Sequence, residues 1–439
     1  MEAPALTASL DTLLTRVAPA EVAERVARIA GGLRAAGVGP GDAVAWQSPN
    51  RVEVGLLYRA CWRLGAVAAP LHHQVGPADA QAMRAAVAPR FAVDDLDALP
   101  DGPPVREFWP DASARAAVLF TSGSSGAPKG VVHTQATLAY KAVQMQDAHG
   151  LTPADCVLMP APCAHISGLL NGITLPGVVP FRTVFMARWD PETALGLIES
   201  ERVTFMVGPP TFFVSLMGAP GFAPERVASL RLISSGGAGV SPAFVAEAEA
   251  RLGARVKRTY GSTEAPTIVT DGTPIGPVEL RIDTNGELLV RGAELCVGYL
   301  DPAQTTEAFT ADGWFRTGDL ATLDGASVGR VEIVGRINDV VIRGGENIAV
   351  AEVEGVLEAH PAVREAVVVG YPDDLMGERV AAFVIAEPGF DVDAARAWFA
   401  DQGVAKYKAP EKVIVVAEFP VLATGKPDRQ TLQASIAHH

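Results

Sequence analysis

The sequence predicts an α/β fold of at least two domains, on three observations. Apolar residues recur at helical spacing over 20–36 and again over 52–64, and a glycine follows each segment. A short apolar run, 43–46 or 66–69, comes next in each case and is typical of a buried strand. The chain of 439 residues is also too long for one hydrophobic core. Helices that alternate with short strands therefore indicate layered α/β structure.

Composition argues against several classes of function. With 36 basic and 50 acidic residues the formal net charge is −14, which disfavours a nucleic-acid partner. The longest apolar stretch, 169–181, is short and broken by glycine and proline, so no stable membrane insertion is expected. Residues 1–15 lack the pattern of a signal peptide. The four cysteines lack metal-binding spacing, and free thiols favour a cytoplasmic location.

A loop rich in glycine and hydroxyl groups, within 120–131, lies between two short apolar segments that read as strands. Its glycines allow close backbone approach, its hydroxyls add donors, and its lysine supplies a point charge suited to phosphate. It is not a Walker loop, because Gly130 follows Lys129 where Ser or Thr is required. A flexible polar hairpin is the alternative. We predict a polyphosphate site formed by Thr121, Ser122, Gly123, Ser124, Ser125, Gly126 and Lys129.

Three later motifs offer groups suited to a nucleotide. Residues 260–264 supply an aromatic face, hydroxyls and a carboxylate, which suit adenine, phosphate and Mg²⁺ respectively. A predicted strand, 231–235, enters a glycine-rich turn at 236–239 that exposes its backbone. Asp319 can accept hydrogen bonds from both ribose hydroxyls. Solvated turns, and a capping role for the aspartate, are the alternatives.

These motifs, in this order, resemble those of the adenylate-forming superfamily, in its acyl-CoA synthetase or carboxylate–CoA ligase branch. The resemblance covers most of the chain. It implies a large N-terminal domain of layered α/β subdomains, 1–337, and a small mobile α+β C-terminal domain, 338–439, that turns about Asn338. It extends the ATP and AMP site to Gly236, Gly237, Ala238, Tyr260, Gly261, Ser262, Thr263, Asp319 and Arg336.

The resemblance also assigns roles beyond the nucleotide. The segment 422–429 is similar to the family's catalytic lysine loop, which makes Lys426 the catalytic lysine; a solvated lysine is the alternative. Glu264 is the implied Mg²⁺ ligand, and Gly344, Gly345 and Glu346 are implied to contact coenzyme A.

The stretch 159–168 is similar to the family's acyl pocket. It carries a histidine among apolar neighbours and no carboxylate to pair with an amino group, which favours an acid without an α-ammonium group. A core or capping histidine is the alternative. The candidate pocket residues are His165, Ile166, Leu169, Gly208, Pro210 and Phe212.

We therefore predict an acid–thiol ligase that makes acyl-CoA, AMP and pyrophosphate from a small carboxylic acid, ATP and CoA, through an acyl-adenylate and with Mg²⁺. The candidate catalytic residues are Lys426, Thr263, Glu264 and His165. Segments 188–192 and 207–211 look most like those of ligases for cyclic, aromatic or medium-sized acids. The alternatives are a stand-alone adenylating enzyme that loads an acyl carrier protein, and a catalytically silent nucleotide-binding protein.

Overall fold

A computed structural model describes residues 19–121, 128–237, 239–323, 330–337, 339–343, 346–373, 375–422 and 426–436, with the backbone alone at 342, 346 and 347. The α-helices within these residues are α1 (Pro19–Ala35), α2 (Val52–Arg63), α3 (Pro77–Val87), α4 (Gln135–His149), α5 (Ile166–Leu169), α6 (Leu175–Val178), α7 (Pro191–Glu201), α8 (Pro210–Met217), α9 (Pro242–Leu252), α10 (Pro302–Ala308), α11 (Val350–Glu358), α12 (Val392–Asp401) and α13 (Arg429–Ser435).

The strands within the same residues are β1 (Ala43–Gln47), β2 (Val67–Leu71), β3 (Phe91–Val93), β4 (Arg115–Thr121), β5 (Lys129–Thr134), β6 (Cys156–Met159), β7 (Arg182–Phe185), β8 (Phe205–Gly208), β9 (Leu232–Gly236), β10 (Arg255–Tyr260), β11 (Val269–Thr270), β12 (Thr273–Pro274), β13 (Glu279–Ile282), β14 (Glu287–Arg291), β15 (Gly298–Tyr299), β16 (Phe315–Leu323), β17 (Val331–Arg336), β18 (Val340–Arg343), β19 (Glu346–Ala349), β20 (Val363–Asp373), β21 (Gly377–Ala386) and β22 (Lys412–Val415).

The chain forms two compact units. The larger comprises 1–237, 247–279 and 290–315, and the smaller comprises 238–246, 280–289 and 316–439. The predicted domain boundary after residue 337 stays a prediction.

The first sheet of the larger unit has the strand order β15-β5-β4-β2-β1-β3. The predicted helices 20–36 and 52–64 are α1 and α2, and their apolar faces join one buried core that includes Val22 and Leu57. Burial of each such side chain contributes about 1.5–3 kcal/mol relative to an exposed one. Strands β4 and β5 form an antiparallel hairpin, and β15 adds to its outer edge.

The second sheet, also in the larger unit, has the order β12-β11-β10-β9-β8-β6-β7. The strands from β10 to β7 run parallel, and each strand is connected to the next one in the chain by a segment that contains a helix. Their carboxyl ends therefore meet at one edge, where α/β proteins commonly bind ligands.

The smaller unit contains a sheet of order β19-β18-β21-β20, with β22 paired to β21. Helix α11 supplies Val353 and Leu357 to its core. The remaining sheet has the order β13-β14-β16-β17, and its antiparallel β16–β17 pair sets the register between residues 319 and 336.

Two local predictions are corrected. The sequence of 286–292 and 298–299 predicts hairpin strands around glycine turns, but β14 lies in the third sheet whereas β15 pairs with β5 in the first. The sequence of 203–213 predicts a strand that ends in a turn, but its last residues begin α8. Proline at the start of this helix, and Phe213 and Leu216 buried on one face, favour helix there.

Candidate active site

Predicted nucleotide and acyl-pocket residues meet at the carboxyl edge of the second sheet. Gly208, Gly236 and Tyr260 are the last residues of β8, β9 and β10, which are neighbours in the sheet. The register pairs Gly208 with Ser235 and Gly236 with Thr259. Three separate motifs are thus brought side by side by parallel pairing.

Two glycines of this edge are required by the chain's own packing. A Cβ on Gly236 would lie 2.3 Å from the carbonyl oxygen of Thr259, and a Cβ on Gly261 would lie 2.3 Å from the nitrogen of Thr267. Gly237 has a φ of +78°, which favours glycine. At 236 and 261 the glycine therefore allows one backbone segment to approach another closely.

The hairpin that carries the predicted phosphate loop is described on both sides of its tip. Thr121 and Lys129 pair directly at the ends of β4 and β5. The Lys129 ammonium group lies 5.8 Å from the centroid of the Tyr299 ring. Ser122, Gly123, Ser124, Ser125 and Gly126 lie outside the described residues, as does Ala238.

Glu264 is held at both its side chain and its backbone. Its Oε1 accepts a hydrogen bond of 2.8 Å from the Tyr299 hydroxyl, and its backbone oxygen accepts one of 2.8 Å from the Cys296 nitrogen. Burial, and then the charge of Glu264, raise the pKa of Tyr299, so its hydroxyl stays protonated and donates. The motif 260–264 ends in a turn, in which the Ala265 nitrogen donates a hydrogen bond of 3.1 Å to Ser262 Oγ.

A buried histidine fixes the backbone of the same motif. His133 on β5 is fully buried, and burial lowers its pKa to about 4, so the ring is neutral at pH 7. Its Nε2 lies 2.7 Å from the Thr263 carbonyl oxygen and donates to it. Sequence reasoning did not single out His133 or Tyr299, because long-range strand pairing alone brings them to this motif.

The smaller unit groups three predicted residues. The β16–β17 register pairs Asp319 with Arg336, and Arg336 Nε lies 3.0 Å from Asp319 Oδ1. The Asp319 carboxylate is buried whereas the Arg336 side chain is largely exposed. Lys426, ninety residues further along the chain, lies close enough to Asp319 and Arg336 for both to affect its pKa. Burial and the charge of Arg336 lower this pKa, whereas the charge of Asp319 raises it.

The candidate acyl-pocket residues lie on two elements of the larger unit. His165 precedes α5, which contains Ile166 and the fully buried Leu169. Gly208 ends β8, and Pro210 and Phe212 lie in α8. A Cβ on Gly208 would lie 2.6 Å from Phe212 Cδ2, so glycine makes room for this ring. His165 lies at the N-cap of α5, but its side chain makes no capping hydrogen bond, so the capping alternative does not account for this histidine.

The predicted coenzyme A and hinge residues receive no structural test. Gly344, Gly345 and Asn338 lie outside the described residues. Glu346 begins β19, but its side chain is not described. Their roles stay predictions.

Comparison with known proteins identifies the family. The model of the AMP-binding enzyme family matches residues 2–106 and 93–300, and that of the AMP-binding enzyme C-terminal domain matches residues 352–426. This chain belongs to the AMP-binding enzyme family.

Individual relatives agree with this assignment. A feruloyl-CoA synthase of Amycolatopsis is 33% identical, with 94% of this chain and 92% of the relative covered. A medium-chain fatty-acid–CoA ligase of Escherichia coli K12 is 30% identical, with 93% and 84% covered. The structure of o-succinylbenzoate CoA synthetase from Bacillus subtilis, in complex with an acyl-adenylate intermediate, superposes with a TM-score of 0.85 at 28% identity, covering 97% of this chain and 95% of that one.

These comparisons confirm three predictions: the family, the mixed α/β fold with a large N-terminal and a further C-terminal domain, and the acid–thiol ligase class. None of the described helices is both long and apolar enough to cross a membrane. The roles of the individual site residues are treated as proposals below.

Proposed function

We propose that this AMP-binding enzyme joins a carboxylic acid to coenzyme A in two steps. The acid attacks the α-phosphate of ATP, which releases pyrophosphate and gives an acyl-adenylate; the CoA thiol then attacks the acyl carbon and releases AMP. The observation that carries the proposal is the grouping of Lys426 with Asp319 and Arg336 in the smaller unit. The names of the related CoA ligases support the same reaction.

The first step brings together two anions, the carboxylate and the triphosphate, so positive charge must be placed between them. Lys426 is only partly exposed, and burial disfavours its charged form. A bound phosphate or carboxylate would reverse this effect, because an adjacent negative charge stabilises the ammonium group. Asp319 would accept from the ribose hydroxyls, while Arg336 approaches the same sugar.

The larger unit carries candidate phosphate contacts of its own. Lys129 adds a second cation at the base of the phosphate loop, and Thr263 presents its hydroxyl from a backbone held by His133. The described residues contain no group of three or more His, Cys, Asp or Glu side chains arranged for a metal. Mg²⁺ commonly takes one or two carboxylates with phosphates and water. Glu264 would hold the ion, whose chemistry is to neutralise phosphate charge.

We infer that the acid is cyclic, aromatic or medium-sized and lacks an α-ammonium group. The candidate pocket residues are apolar apart from His165, and Phe212 stacks on Trp189 with ring centroids 4.5 Å apart. Feruloyl, succinylbenzoyl and medium-chain acids, which appear in the names of the relatives, fall within this range.

Coenzyme A is the proposed acceptor, with Gly344, Gly345 and Glu346 as its proposed contacts. An acyl carrier protein is the alternative acceptor, and rates with free CoA against a carrier protein would separate the two. The cytoplasmic location stays a prediction; it is supported by four buried cysteines that form no disulfide among the described residues.

The test is pyrophosphate release with a panel of carboxylic acids, with and without CoA. Lys426→Ala should slow adenylation by about 10²-fold or more, because one charge-stabilising donor is lost. The same variant should still carry out the second step, the thiolysis of a supplied acyl-adenylate. Lys406→Ala, which removes an exposed lysine of the same unit, is the matched control and should change neither step. Equal losses in both half-reactions would reject the role of Lys426. No AMP with any acid would refute the proposed function.

A further inference from the structure

Three histidines of the larger unit form a cluster beside the candidate acyl pocket. His72 and His73 directly follow β2, and their rings are stacked with centroids 4.6 Å apart. The ring of His165, a predicted pocket residue, lies 5.0 Å from that of His72. Neither His72 nor His73 has a role in the reaction proposed above.

The position of the proton on His72 follows from its neighbours. Its Nδ1 accepts a hydrogen bond of 3.1 Å from the Gln74 backbone nitrogen. Burial, with smaller effects of His165 and His73, lowers its pKa to about 4, so the ring is neutral at pH 7. A neutral imidazole carries one N–H, and Nδ1 is occupied as an acceptor. The proton therefore lies on Nε2.

This N–H has nothing to bind within the described part of the chain. His72 is 6% exposed, and its Nε2 is buried without a hydrogen-bond partner among the described residues. Buried donors in proteins are nearly always satisfied, so an orphaned one next to a ligand pocket needs an explanation. In the neighbouring ring, His73 Nδ1 is also buried and has no hydrogen-bond partner among the described residues.

The donor on His72 limits what its ligand can be. Burial is the main cause of the lowered pKa of both rings, and the basic groups His165, His73 and Arg188 add to it. The cavity that His73 lines also holds Arg84 and Asp94, so charge alone does not select the ligand. A group that meets the Nε2–H of His72 must be a hydrogen-bond acceptor, such as an oxygen.

We propose that His72 and His73 recognise a second oxygen function of the acid, besides the carboxylate that reacts. The substrate would be an oxo, ether, hydroxy or dicarboxylic acid, and a plain hydrocarbon acid would leave the Nε2–H of His72 unsatisfied. This inference rests on the proposed function and narrows its substrate class. It also makes His72 a specificity-determining residue.

The test compares matched acids in pyrophosphate release without CoA. One pair is 4-phenylbutanoate and 4-oxo-4-phenylbutanoate, which differ by one carbonyl; the other is heptanoate and heptanedioate. In at least one pair the acid with the added oxygen should have a kcat/KM higher by about 10-fold or more, because a site built to bond an oxygen rejects the analogue that lacks it. This comparison uses the unaltered protein and does not depend on how a variant folds.

His72→Asn isolates the donor. The asparagine side chain can accept from the backbone N–H two residues on, as Nδ1 does, but it cannot replace Nε2–H. The variant should lose most of the preference for the oxygenated acid and keep its rate with the plain one. His360→Asn is the matched control: its Nδ1 accepts from the Ala362 nitrogen at 3.0 Å, two residues on, in the smaller unit. It should keep the preference.

Three results would overturn the inference. The first is equal kcat/KM within both pairs of acids. The second is a preference that survives in His72→Asn. The third, measured in a second assay with CoA present, is a loss in His72→Asn confined to the KM for CoA, since the oxygen would then belong to a pantetheine amide. Absence of AMP with every acid would instead refute the proposed function, and this inference with it.

Discussion

The hydroxyl of Tyr299 offers a sharp test of the adenylation site. Tyr299→Phe keeps the ring beneath Lys129 but removes the donor to Glu264 Oε1, at 2.8 Å. A hydrogen bond to a charged group contributes about 1.5–3 kcal/mol, which corresponds to roughly 10–150-fold in an equilibrium constant. Loss of a partner that orients a metal ligand typically costs about 10–100-fold in metal affinity or activity. The two estimates agree.

We therefore expect Tyr299→Phe to weaken the apparent affinity for Mg²⁺ by about 10–100-fold. The assay is pyrophosphate release at fixed ATP and acid over a series of Mg²⁺ concentrations. Tyr371→Phe is the matched control, because Tyr371 also lies under a lysine, with Lys412 Nζ 5.3 Å from its ring centroid, but belongs to the smaller unit. Its Mg²⁺ dependence should match that of the unaltered protein. An unchanged Mg²⁺ dependence in Tyr299→Phe would refute the reasoning, and so would a normal dependence in Glu264→Gln.

Two further predictions concern packing. In a urea titration, Gly261→Ala should destabilise the protein by about 1–3 kcal/mol, since the new Cβ would lie 2.3 Å from a backbone nitrogen, and it should also slow adenylation. The control is Gly355→Ala, in α11 with open space around it, which should stabilise the protein by up to about 1 kcal/mol. Glu294→Gln removes the carboxylate that lies 3.4 Å from the fully buried Lys141 and should lower the free energy of unfolding by about 3–5 kcal/mol. The control, Glu247→Gln in an exposed pair, should lower it by less than about 1 kcal/mol. Equal losses in the two variants would contradict the argument from burial.

Most helices and strands were readable from the sequence, because burial on one face imposes a period on the residues. The predicted helix at 52–64 became α2, and the apolar runs around 120–131 became β4 and β5. Periodicity reports only on the local element, so it could not assign partners. Thus β14 and β15 were expected to pair locally, but they lie in different sheets.

The same limit applies to the candidate site. Tyr260–Glu264 could be identified as one unit, because its residues are consecutive and carry complementary chemistry. Its supporting residues, His133 and Tyr299, come from strands distant in the chain. Their residue types are ordinary in strands, so nothing local marks them.

By itself, the sequence determined the family, the α/β class and the reaction type, because the phosphate loop, the Tyr260–Glu264 motif and the Lys426 loop each keep their chemistry in a short run of residues. Only the tertiary structure decided which groups surround that chemistry. The link from Tyr299 to Glu264 and the position of His72 beside His165 both depend on contacts between distant segments. The physical reason is that spacing along the chain governs local conformation, whereas burial and hydrogen-bond partners depend on how the sheets assemble.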